Sequence, residues 1–256
     1  MIHPSAVVSS KAELASDVEV GPYCVIGKNV QIDSGTKLQS HIVVNGPCRI
    51  GKNNAIYSFA CIGGDPQDKK FHGEQTQLEI GDNNLIREYV TINRGTDDGG
   101  GITKVGNDNW IMAYVHIAHD CFVGNNTIFS NAASLAGHVE VGNHAILSGF
   151  TLVSQFVRIG AYSFSTMGSA INRDVPPCVL VSGNMAKPKG INIEGLKRNQ
   201  FSASAISDIK KAYRLLYKSG SKFEDAITAI EALANEANQL SSFVKFLKNS
   251  DKSIIR

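Results

Sequence analysis

The stretch "HIAHDC", residues 116–121, sets two histidines three apart and puts an aspartate directly after the second, in a chain with only seven histidines. Near pH 7 a neutral imidazole can take a proton from a hydroxyl, and a carboxylate bonded to the ring fixes its tautomer. The same residue types also ligate zinc, which needs three or more donors at about 2.0–2.1 Å. Whether His116 and His119 act together depends on the backbone beneath them. A spacing of three keeps one face on a helix but changes face on a strand.

That backbone is announced by a repeat. Every sixth residue from Ile2 to Ile62 is apolar, the phase returns at Ile80, Ile86 and Ile92, and it runs again from Val105 to Ile171 with Ser165 as its one polar lapse. Glycine often follows the apolar residue, as in "VGPYCV" and "IGKNNA". Neither a helix nor an isolated strand has this period. A parallel β-helix does: three hexads close one triangular coil of 18 residues, each short strand sends its apolar residue to the axis, and Gly, Asn or Asp turns the corner. Coils stacked about 4.8 Å apart then bury one another's interiors.

The coil serves as a ruler. One coil beyond His119, the third residue of its hexad, stands Gly137 with His138 beside it, and one coil further stands Gln155. These residues stack along one edge within about 10 Å, or two rungs, and His116 lies just before the same strand. Asp120 is placed to orient the His119 ring, directly or through a neighbouring subunit. The N–H of Gly137 can polarise a carbonyl, because glycine lets a substrate approach the chain closely. Acid–base chemistry suits this cluster better, with a zinc centre as the rival reading.

Two interruptions break the repeat. "GGDPQDKKFHGEQTQ" lies within a loop over 63–79, and "GTDDGGGITK" forms a Gly-rich loop over 95–104. Loops on a rigid scaffold are where binding groups tend to sit. The β-helix is expected over 1–190, with Pro176 and Pro177 of "DVPPC" ending the repeat, and an α-helical domain over 191–256. There Ile206, Ile209, Tyr213, Leu216 and Tyr217 recur at helical spacing up to Gly220; Ser221 is expected to cap a second helix, and "SSFVKFLKN" a third.

Composition excludes several classes. The 256 residues are 43 % hydrophobic and 19 % charged with a net charge of +2, an ordinary globular balance that argues against nucleic-acid binding. Five cysteines are scattered without a CxxC pair, which fits a reducing compartment better than a disulfide framework. No apolar run approaches the roughly 18 residues of a membrane span, and "MIHPSAVVSS" lacks the marks of a signal peptide, so a cytoplasmic location is expected.

The motifs "HIAHDC", "LAGHVEVG", "VNGPCRIG", "VTINRGT", "DVPPCVLVSGN" and "NIEGLKR", spread over nearly the whole chain, resemble one family: the acyl-(acyl-carrier-protein)–UDP-N-acetylglucosamine O-acyltransferases of lipid A biosynthesis. The resemblance implies a mainly β, left-handed parallel β-helix of hexapeptide repeats with a small α-helical C-terminal domain. It implies a homotrimer, with sites between subunits and neither metal nor cofactor. His119 would be the general base for the glucosamine 3-hydroxyl, Asp120 its support and Gly137 the oxyanion donor. Asp68 and Lys70 would meet the acyl-chain hydroxyl and the sugar nucleotide, with His116, His138 and Gln155 lining the sugar site. Asn192, Glu194 and Arg198 would contact uridine and phosphates, and Met167 would close the acyl channel as a chain-length ruler.

The chain departs from the family pattern at Asn93, Ser154 and Met185, where histidine is frequent, and at Asn199, where a second arginine is frequent. A 3-amino sugar nucleotide is therefore an alternative acceptor. A zinc hydratase and a non-catalytic sugar-binding solenoid are the remaining alternatives. Between Lys187 and Lys222 nine Lys/Arg stand against only Glu194 and Asp208, an excess larger than the whole chain's +2. Such a surface would steer an acidic acyl carrier protein bearing a 3-hydroxyacyl group.

Overall fold

The computed structural model describes residues 1–235, 237–250 and 253–256. Short strands wind into three parallel sheets that form the sides of a prism. The first sheet runs from Val7–Val8 to Ala170–Ile171, the second from Glu13–Leu14 to Arg158–Ile159, and the third from Glu19–Val20 to Val179–Ser182. The coil is a left-handed β-helix, against the right-handed preference of parallel crossovers.

The hexad works as its period implies. In each two-residue strand the first side chain points out and the second in: His116 is half-buried while Ile117 is fully buried. Ile117 pairs in register with Ile92 below and Leu135 above, so the aliphatic column is continuous. Phe129 fills the coil axis as a fully buried side chain. The lapse at Ser165 is satisfied, because its hydroxyl meets Thr151 Oγ1 at 2.8 Å. At one corner a buried polar ladder replaces aliphatics. The amide oxygens of Asn54, Asn84 and Asn109 accept from the main-chain N–H of Asn84, Asn109 and Thr127 at 2.9, 3.0 and 2.8 Å.

The structure differs from expectation in three places. The prolines 176 and 177 do not end the sheet: Val179–Ser182 continues in parallel, and Lys187–Ile191 then adds an antiparallel edge strand. A short helix, α1 (Ile193–Arg198), precedes the long one, α2 (Ala203–Lys218). Ser221 does not cap the next helix, α3 (Phe223–Ala234). Lys222 occupies that position without a side-chain bond, and Glu224 and Asp225 face the helix dipole instead. The last helix, α4 (Ser241–Lys248), leads to a tail that returns to the coil. Ser250 Oγ donates to Asp174 Oδ2 at 2.6 Å, and the Ile255 N–H to the Asp174 carbonyl at 2.8 Å.

Candidate active site

His119 and Asp120 turn the corner between the first and second sheets. One coil on, Gly137 and His138 occupy the same corner, and then Gln155 and Phe156. Asp120, His138 and Phe156 all have φ near 60°, at 59°, 61° and 63°. Nearly every corner has such a residue, so this is the cost of the coil rather than strain confined to the site. The stacking has direct consequences. The His119 ring lies over Gly137, where a Cβ would come within 2.6 Å of Cε1 and 2.8 Å of Nε2. Only glycine admits the imidazole in this pose. His138 stacks on Phe156 at 4.4 Å and stands edge-on to His119 at 5.2 Å.

His119 Nδ1 and Asp120 Oδ2 are 2.7 Å apart. The bond is made within one chain, one of the two arrangements that sequence leaves open. It places the proton on Nδ1 and leaves Nε2 as the acceptor. Asp120 is 2 % exposed, and its carboxylate also accepts from the Thr96 N–H at 2.8 Å and Thr96 Oγ1 at 2.7 Å. Its own N–H donates to Thr103 Oγ1 at 2.7 Å. A Cβ on Gly99 would fall about 2.0 Å from the Asp120 carboxyl carbon, so the second loop closes directly over this carboxylate. Thr96, Gly99 and Thr103 pack on or bond to Asp120, and sequence reasoning missed them. Their signal was the phase break between Ile92 and Val105, which hides their position from an 18-residue ruler.

The Gly137 N–H makes no main-chain hydrogen bond among the described residues, whereas its neighbours Ala136 and His138 donate to Val153 and His119. His116 Nδ1 lies 2.7 Å from Thr91 Oγ1. Burial, and then the adjacent His119, hold the His116 imidazole below its ordinary value. Burial also lowers His138, opposed by Asp120 and Asp68. Asp68 of the first loop is thus within electrostatic reach of the edge. Lys70 and Asp98 lie 3.8 Å apart across the two loops.

Other expected site residues lie elsewhere on the prism. Asn192 is buried and caps α1: its Oδ1 accepts from the Gly195 N–H at 3.1 Å and its Nδ2 donates to the Tyr162 carbonyl at 2.9 Å. It orients α1, whose Glu194 and Arg198 are exposed. Tyr162 belongs to the corner between the second and third sheets, and Met167, 76 % exposed, to the corner between the third and first. Among the four departures, Asn93 is buried and donates to the Asp65 carbonyl at 2.7 Å, and Asn199 donates to the Gly195 carbonyl at 2.8 Å. Ser154 and Met185 are exposed.

The ligand atoms of His119, Asp120 and His138 lie within 4.8 Å of one another, close enough to be drawn onto a cation. Both Asp120 oxygens, however, are already hydrogen-bonded, Oδ1 to the Thr96 N–H and Oδ2 to His119 Nδ1 and Thr96 Oγ1, so a metal would compete with these bonds. The existing arrangement holds a proton on Nδ1 and presents Nε2 over the Cα of Gly137, a residue whose N–H makes no main-chain hydrogen bond among the described residues, which suits proton abstraction.

A family model described as "Udp N-acetylglucosamine O-acyltransferase; Domain 2" matches residues 174–255. The chain is similar to acyl-(acyl-carrier-protein)–UDP-N-acetylglucosamine O-acyltransferase of Alkalilimnicola ehrlichii, at 54 % identity over all of this chain and 99 % of that one. Against the enzyme of the same name from Xylella fastidiosa the identity is 52 %, over 100 % of this chain and 98 % of that one. Among solved structures, UDP-N-acetylglucosamine acyltransferase of Francisella novicida superposes with a TM-score of 0.98 at 43 % identity, covering 100 % of this chain and 94 % of that chain.

Proposed function

The chain belongs to the acyl-(acyl-carrier-protein)–UDP-N-acetylglucosamine O-acyltransferase family, and from that premise we propose that it moves an (R)-3-hydroxyacyl group from acyl carrier protein to the glucosamine 3-hydroxyl of UDP-N-acetylglucosamine, the first step of lipid A assembly. The observation that carries the reading is the His119 imidazole, fixed by Asp120 at 2.7 Å and lying over Gly137.

The chemistry follows from that geometry. His119 Nε2 takes the proton of the acceptor hydroxyl as its oxygen attacks the thioester carbonyl. The oxyanion forms beside the Gly137 N–H. Collapse breaks the C–S bond, and the imidazolium returns its proton to the leaving thiolate. Asp120 stabilises the imidazolium through Nδ1 without itself being protonated. His116, His138 and Gln155 line the sugar site, while Asp68 and Lys70 meet the acyl hydroxyl and the nucleotide. Glu194 and Arg198 reach the uridine and phosphates.

One copy presents these groups on different edges, and the working unit we propose is a homotrimer with sites shared between copies. The exposed surface supports this. Val25 and Leu152 on the first sheet, Trp110 on the third, and Tyr23, Phe59, Tyr89, Tyr114 and Phe150 on the edge between them are exposed apolar side chains. The second sheet presents Phe122 among ion pairs such as Lys104–Glu79 and Arg158–Glu140, and the third also carries the pair Lys37–Glu19. Apolar faces suit neighbours, and a charged one suits water. No helix among the described residues is long and apolar enough to cross a membrane, and we place the enzyme in the cytoplasm, where acyl carrier protein is available.

The test incubates the protein with 3-hydroxyacyl carrier protein and either UDP-N-acetylglucosamine or its 3-amino analogue, weighs the products and measures bound metal. The ester of the hydroxyl substrate is expected. His119→Ala should lose roughly 10²–10⁴ in kcat with the oligomer intact. Near-normal turnover by this variant would remove the base assignment; an amide product alone would move the acceptor to the amino sugar; zinc-dependent turnover would favour the metal reading.

A further inference from the structure

The end of the Thr91–Asn93 strand runs into "NRGT", and these four residues hold two things at once. Thr96 grips Asp120. Asn93 and Arg94 grip the first loop. Arg94 Nη1 donates to the Gly63 carbonyl at 2.8 Å and Nη2 to Asp65 Oδ1 at 2.5 Å, while the Arg94 N–H donates to the Gly64 carbonyl at 3.0 Å. The Arg94 side chain is only 9 % exposed although its partner Asp65 is 71 % exposed. A guanidinium held this deep is costly unless it is bonded: its two terminal nitrogens both donate to the root of one loop, while Nε is buried without a hydrogen-bond partner among the described residues. Downstream, Asp68, Lys70, Phe71 and Glu74 of that loop enclose a small cavity of about 60 Å³ with Thr96 and Asp98 of the other.

We propose that Arg94 is a positioning residue: it clamps the first loop at Gly63–Asp65 and so sets Asp68 and Lys70 over the His119–Asp120 pair. The inference rests on the acyl-transfer reading for its kinetic consequence, but not for its structural one. Lysine cannot replace the fork, since a point charge reaches one acceptor where the guanidinium holds two.

The experiment compares wild type with Arg94→Met, Arg94→Lys and, as a surface control, Arg49→Met, whose guanidinium is exposed beside Asp33 on the second sheet. Limited trypsinolysis is followed by mass at Lys69 and Lys70, under conditions where circular dichroism shows every variant folded. Cleavage there should rise about tenfold or more in Arg94→Met, less in Arg94→Lys, and not at all in Arg49→Met, because cutting follows the open population of the loop. In steady state the KM for acyl donor and nucleotide sugar should rise about tenfold, with the pH profile of kcat unmoved. If Arg94→Met does not fold, Asp65→Asn and Arg94→Lys carry the same readouts. Unchanged loop cleavage, or a fall in kcat with both KM values unchanged, overturns the proposal. A wild type that forms no acyl product overturns the transferase reading instead, and the proteolysis still decides the role of Arg94.

Discussion

At the scale of single residues, the base is defined by what surrounds it. Asp120 is held by Thr96 and Thr103 before it holds His119, and Gly137 is glycine because the imidazole occupies the place of its Cβ. Burial, first among the causes, pushes the two flanking imidazoles, His116 and His138, below the ordinary 6.5. A pH dependence of stability follows. Folding disfavours the protonated rings, so the unfolded chain binds more protons just below 6.5. Their contribution is present above that value and is lost as pH falls through it toward the lower folded values. The melting temperature should therefore drop between about pH 7 and 5.5, and His116→Gln, which removes one titrating ring beside Thr91, should flatten the drop. Identical slopes for the two proteins would mean that other groups set the acid limb. The residues legible in the sequence were those at multiples of 18 from His119. Thr96 and Gly99 were not, because they reach Asp120 across a loop whose length breaks the count.

Among elements, the repeat announces itself because each coil repeats one local problem, an inward aliphatic followed by a tight corner, and solves it with the same few residues. The final strand, Lys187–Ile191, carries no such mark: Lys, Pro and Gly are poor strand formers, and it exists because it covers the open edge of Val179–Ser182. The helical region shows why charge is more legible than boundaries. All nine basic residues between Lys187 and Lys222 are exposed. Lys211, Arg214 and Lys218 of α2 rim a groove of about 840 Å³ whose floor includes Leu215, Ala229 and Leu233 of α2 and α3. An apolar trough edged by cations suits an acidic amphipathic helix. Reversing Arg214 and Lys218 to Glu should raise the KM for acyl carrier protein about tenfold or more, with a weaker salt dependence, and leave the KM for UDP-N-acetylglucosamine unchanged. Equal effects on both substrates would argue for damage to the fold, and no effect would place the carrier protein elsewhere.

For the molecule as a whole, the three corners of the prism divide the labour. His119 stands on one edge, α1 is tied to Tyr162 on the second, and Met167 stands on the third, so in the proposed trimer the acyl chain would run from His119 of one copy toward Met167 of another. Met167 is not packed between coils: it is 76 % exposed, one coil above Gly149. A side chain free of its own core is available to close a channel formed with a neighbour. Each methylene buried in such a channel is worth roughly 0.8 kcal/mol, so the four that separate a hydroxydecanoyl from a hydroxymyristoyl chain would favour the longer donor by roughly 3 kcal/mol in an open channel. In the proposed ruler role, methionine would fill that space and turn the gain into overpacking of about 1–3 kcal/mol. The wild type should thus prefer 3-hydroxydecanoyl carrier protein. Met167→Gly should move the ratio of kcat/KM toward the 3-hydroxymyristoyl donor by about tenfold or more, with the total activity on the better donor retained. A glycine variant whose chain-length preference does not move, or a wild type that already prefers the longer donor, would show that the fatty chain does not end at Met167.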